Sequence, residues 1–112
     1  MIHRFIRTVS AALLLAALTL VFTAPAHAQD AASLFKTKCA VCHGPDGKGE
    51  APMGKKLGAH DLTSAEVQKQ TDPQLTEVVT KGRNKMPAYD GKLSKEQIAQ
   101  LVAYIREIGK KH

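Results

Sequence analysis

Cys39-Ala-Val-Cys42-His43 constrains this chain more than any other segment, because it sets two thiols one helical turn apart and an imidazole directly after them. Residues three apart on a helix share a face, so both sulfurs point the same way and His43 presents its ring beside them. A structural zinc site needs two further ligands at definite spacing, and beyond residue 28 the other histidines are His60 and His112, with no further cysteine. A dithiol redox motif belongs in a βαβ setting, and no β-rich alternating run occurs. A Cys39–Cys42 disulfide would close a very small loop and stabilise little. Covalent haem attachment fits the spacing best: the thiols add to two porphyrin vinyl groups, and the adjacent imidazole reaches the iron.

The distribution of apolar residues agrees with a bound group. Of the 49 hydrophobic residues, 19 lie in the first 28 positions, leaving 30 in the remaining 84. Past that point the aromatics are Phe35, Tyr89 and Tyr104. A domain of this size buries a modest share of its surface and usually needs a staple, a metal or a cofactor. The first 28 residues have the layout of a secretory signal. Arg4 and Arg7 precede the apolar run Val9 to Phe22, and Ala26-His-Ala28 supplies a small-x-small cleavage pattern. A largely apolar run of fourteen residues is short for a spanning helix, which needs about 20. The expectation is therefore a cleaved leader over 1–28 and a single exported, periplasmic domain over 29–112 that begins at Gln29.

That domain is expected to be all-α. Asp30 to Cys42 has helix-forming composition, with Leu34 and Phe35 on one side. Pro73 to Lys81 follows Asp72, read as its N-cap, and ends at Gly82. Ser94 to Lys110 opens with a Ser94/Gln97 capping box and carries the apolar stripe Ile98, Leu101, Val102, Ile105 and Ile108. Thr63 with Glu66 is read as the cap of a short turn through Gln68. Gly44 to Leu62 holds five glycines and two prolines without periodicity, so it reads as one long loop. Loops of that length in small domains are usually functional or wrapped around something.

Haem iron has a second axial position, and Met86 is the candidate. It lies in Lys85-Met-Pro-Ala-Tyr89, where Pro87 keeps the preceding residue extended and disfavours helix. A thioether is a soft neutral ligand that favours reduced iron and raises the reduction potential. Ordinary core filling is the commoner use of methionine, but a polar, proline-stiffened loop suits it poorly. Met53, in the Gly-rich loop, is expected to pack near the haem, and His60 and His112 to be solvated.

With these residues in hand, the chain from Asp30 to Lys110 resembles a class I cytochrome c, the small soluble His/Met-ligated electron carriers. Cys39-Ala-Val-Cys42-His43 looks like the haem-binding motif, Lys85-Met86-Pro87 like the distal-ligand loop, and Leu101-Val-Ala-Tyr104-Ile105 like the C-terminal helix. The resemblance implies three to four helices and a long Gly-rich loop around one covalently attached haem c. It also implies a crossing of the first and last helices, with Phe35 and Tyr104 as an aromatic pair and Ala31 as the small residue that allows close approach. It further suggests a proline carbonyl accepting the Nδ1 proton of His43, with Pro52 as candidate and Pro45 as the lesser one. The cofactor residues so expected are Cys39, Cys42, His43, Met86 and Pro52, with His43 and Met86 on the metal. Arg83, Lys56 and Tyr89 are candidates for holding the haem propionates.

The function expected is single-electron transfer between redox proteins by a monomeric shuttle. No candidate acid, base or nucleophile stands beside the metal, so an enzyme reading has no residues to rest on. Residues 29–112 carry 14 basic and 10 acidic side chains. These charges are interspersed and no aromatics alternate with them, unlike a single-stranded nucleic-acid platform. Lys36, Lys38, Lys81, Arg83 and Lys85 flank the ligand segments and could dock an acidic partner, although surface lysines also serve solubility alone. Two other classes remain compatible with the residues: a gas-binding haem protein lacking a Met86–iron bond, and a non-haem thiol or zinc module.

Overall fold

The computed structural model describes residues 31–112; the expected leader over 1–28 and its cleavage point at Gln29 lie outside the described residues. A first helix, α1, runs over residues 31–43. It is followed by α2 (Pro52–Leu57), α3 (Ala65–Gln68), α4 (Asp72–Lys81) and α5 (Lys95–Lys110). Among the described residues extended pairing is confined to two isolated bridges, Arg83–Met86 and Asp90–Leu93. The all-α expectation holds.

Helix α5 starts where its capping box predicts. The Ser94 hydroxyl accepts from the Gln97 N–H at 3.1 Å, and Gln97 Oε1 accepts from the Ser94 N–H at 2.9 Å. Ile98, Leu101, Val102, Ile105 and Ile108 are all buried, so the apolar stripe is the core face. They pack with Phe35, Leu62, Val67, Leu75, Val79 and Leu93 in one cluster. Each such side chain contributes about 1.5–3 kcal/mol when fully buried. Phe35 meets Tyr104 with ring centroids 5.1 Å apart and planes tilted by 51°. That is the expected aromatic pair, and Ala31 is buried at the start of α1.

Three local expectations are corrected. Thr71, rather than Asp72, caps α4. Its backbone is extended, its hydroxyl accepts from the Gln74 N–H, and Gln74 Oε1 accepts from the Thr71 N–H at 2.8 Å. Asp72 and Pro73 then occupy the first turn, where an acid suits the helix dipole and a proline loses no bond. Ser64, rather than Thr63, caps α3, because Asp61 accepts hydrogen bonds from the Thr63 hydroxyl at 2.7 Å and N–H at 2.8 Å. The segment 44–62 is also not loop throughout, since α2 forms inside it with Pro52 in its first turn. A helix this short owes its stability to docking, and α2 lies against the end of α1.

Arg106 fastens α5 to the turn between α3 and α4. Nη1 donates to the Gln68 carbonyl at 2.7 Å, Nη2 to the Gln70 carbonyl, and Nε to Asp72 Oδ1 at 2.9 Å. Gln68 completes this corner by donating from Nε2 to the carbonyls of Leu62 and Ile105.

Candidate haem-binding site

The Cys39–His43 motif lies at the end of α1, and the helix changes its winding to deliver it. Phe35–Cys39 is a π-helical segment, followed by an α-turn over Ala40–His43. π-segments inside α-helices recur at functional sites because the extra residue re-aims the side chains beyond it. Gly44, at φ 79°, ends the helix immediately after His43.

Cys39, Cys42 and His43 line one cavity of about 430 Å³. Met86 lines it too, and its remaining walls are largely apolar, among them Phe35, Leu62, Val67, Leu75, Val79 and Leu101. Both cysteines are free and half-buried. Burial pushes the Cys39 thiol up to about 11, with the neighbouring Cys42 adding to it, so at neutral pH it is protonated. His43 Nδ1 lies 2.9 Å from the His60 carbonyl. A carbonyl only accepts, so Nδ1 carries the proton and Nε2 keeps its lone pair. Burial holds His43 below the ordinary imidazole value, against an opposing pull from that same carbonyl bond. A neutral imidazole with a free lone pair, two thiols and a thioether around an apolar cavity form a donor set that fits haem.

Pro52 is therefore not the partner of His43. It opens α2 and is exposed, and the carbonyl that the ring reaches belongs to His60. Nor does Met53 pack at the cavity: it is 47% exposed and is not among the lining residues. His60 does expose its side chain, as expected, but its backbone has the role assigned to a proline. No signal in a single sequence marks it, because every residue offers a carbonyl.

Met86 is carried on a strap over residues 83–90. Arg83 and Met86 exchange backbone hydrogen bonds of 3.1 and 2.9 Å around a tight turn in which Asn84 takes φ 53°. The Tyr89 and Asp90 N–H groups donate to the carbonyls of Val79 and Thr80, lacing the strap to α4. Gly82 leads into it at φ 73°, and a Cβ there would lie 2.6 Å from the Met86 carbonyl oxygen. Gly82 is thus required both by its backbone conformation and by the closeness of the strap. The Tyr89 hydroxyl donates to the Lys38 carbonyl at 2.9 Å, and burial pushes its phenol up. Of the groups expected at the propionates, Arg83 and Tyr89 line the cavity and Lys56 does not. Of the basic residues expected at the edge, Lys38, Arg83 and Lys85 line it, whereas Lys36 and Lys81 do not. Lys81 instead pairs with Glu77 at 3.2 Å.

Residues 26–105 match the family model described as cytochrome C oxidase, cbb3-type, subunit III. Cytochrome c6 of Nostoc sp. strain PCC 7120 is 36% identical, over 81% of this chain and 82% of that protein. Cytochrome c6 of Synechococcus sp. strain PCC 6312 is 33% identical, over 90% of each. The solved structure of the KustC0563 c-type cytochrome superposes with a TM-score of 0.65 at 32% identity, covering 70% of this chain and 96% of that one. With a family model spanning most of the chain and relatives matched over nearly their whole length, the assignment follows: this chain belongs to the class I cytochromes c, which carry electrons on a covalently attached haem c.

Proposed function

We propose that this chain is exported, loses residues 1–28, and as residues 29–112 shuttles single electrons between periplasmic redox proteins, with His43 and Met86 as the axial ligands of iron. The reading rests on one apolar cavity that both His43, at the end of α1, and Met86, on the strap, line together with the two thiols. When bound, the haem supplies a one-electron couple at iron.

The chain's own residues do the rest. Cys39 and Cys42 hold the group covalently. The His60 carbonyl fixes the His43 ring and raises its basicity as a ligand. Met86 offers a neutral sulfur that favours the reduced metal. Apolar walls exclude water and leave little to rearrange when the charge changes. Val41, between the two cysteines, is 61% exposed and gives a partner an apolar foothold at the motif. Lys38, Arg83 and Lys85 are exposed cavity-lining cations around which an acidic face would dock weakly and leave again.

Visible spectroscopy of the purified protein tests the ligation. The expected result is a low-spin spectrum with a sulfur-to-iron charge-transfer band when oxidised, unaffected by carbon monoxide when reduced. Met86→Ala keeps the covalent haem and gains carbon monoxide binding; an unchanged spin state in that variant overturns Met86 as ligand. Intact mass reads the leader, with a mature chain beginning at Gln29 expected. Partner reduction rates that stay flat as ionic strength rises overturn the acidic docking face.

A further inference from the structure

The strap is tied mainly to α4: Tyr89 and Asp90 donate backwards to Val79 and Thr80, and Arg83 and Met86 close on each other. None of these bonds crosses the cavity. The Tyr89 hydroxyl does, reaching the Lys38 carbonyl inside the π-segment, one residue before Cys39. It joins the wall that carries Met86 to the wall that carries the thiols. The ring of Tyr89 packs against the core cluster and lines the cavity, a task a phenylalanine would perform equally well. The hydroxyl is therefore surplus to packing. A thioether is a weak neutral ligand, so how firmly its strap is held decides how often its position opens.

We propose that the hydrogen bond from the Tyr89 hydroxyl to the Lys38 carbonyl clamps the Met86 strap to α1 and sets how readily an outside ligand takes the place of Met86. Tyr89 is thus a positioning residue that acts through Met86, and the proposal rests on Met86 being the sixth ligand. A neutral hydrogen bond to a partly exposed carbonyl carries a modest net free energy, so losing it should raise outside-ligand affinity roughly three- to tenfold.

The test is a titration of the oxidised holoprotein with imidazole, followed in the visible spectrum, for wild type, Tyr89→Phe and Ile108→Val. Ile108 is a buried residue of α5 that does not line the cavity, so its shortening lowers global stability without touching the strap. The expected result is a sulfur-to-iron band in wild type and Tyr89→Phe alike, tighter imidazole binding in Tyr89→Phe, and wild-type affinity in Ile108→Val. Equal affinities in wild type and Tyr89→Phe, with the band present in both, overturn the clamp and leave Met86 standing. An equal gain in Ile108→Val also overturns the clamp, because general loosening would then account for the effect. A wild type without the band overturns the Met86 reading and the clamp with it.

Discussion

Gly54 lies so close to Cys42 that a Cβ on it would sit 1.8 Å from the Cys42 carbonyl oxygen. Its backbone is ordinary helix within α2, so the requirement is closeness and not conformation. The obstacle is main chain, which cannot swing aside as a side chain can. Gly54→Ala should push α2 away from the haem motif and destabilise the holoprotein by about 1–3 kcal/mol, or more if the backbone resists. Urea unfolding and the fraction of chain recovered with covalent haem are the measurements.

Phe35 is 1% exposed and bridges α1 to α5 through Tyr104. Phe35→Ala should cost about 3–5 kcal/mol, the range for emptying a buried aromatic site. Tyr104→Phe keeps the ring contact and should cost far less. Denaturant unfolding of the two variants separates packing from the hydroxyl.

Arg106 and Asp72 form an ion pair in which the arginine side chain is 24% exposed and the carboxylate 68%. The exposed half is worth little, so Asp72→Ala should cost under about 1 kcal/mol. Arg106→Lys loses the planar fork that serves the Gln68 and Gln70 carbonyls and should cost about 2 kcal/mol. High salt should narrow the Asp72 effect and leave most of the Arg106 effect, as read from unfolding midpoints.

Asp61 is held below its ordinary value of 3.8, first by the Thr63 hydroxyl and then by the Thr63 N–H. A carboxylate depressed in the folded state adds stability that is complete above the unfolded value and fades as pH falls through the folded one. The stability difference between wild type and Asp61→Asn should therefore be constant at neutral pH and shrink below 3.8. Urea midpoints measured across that range provide the check. A difference that grows on acidification would reverse the sign assigned to Asp61.

What could be read directly from the residues was whatever depends on near neighbours along the chain. The thiols and imidazole of Cys39, Cys42 and His43 are adjacent, the α5 stripe repeats with the helical period, and Ser94 with Gln97 completes its own cap. Those features led to the all-α domain, the covalent cofactor and the family. The N-cap of α4 is Thr71, one residue before the Asp72 that the sequence suggests, because both are good caps and only backbone geometry chooses between them. Folding in space supplied the rest. The His43 acceptor is a main-chain carbonyl of His60, a group every residue carries, so no side-chain pattern announces it. Gly54 looks in sequence like another loop glycine, and its purpose exists only once α2 rests on Cys42. The Tyr89 hydroxyl finds Lys38 across 51 residues, which no periodicity spans. Chemistry carried by side chains close in sequence is written in the chain; chemistry carried by backbone, by closeness, or across the cavity arises from packing.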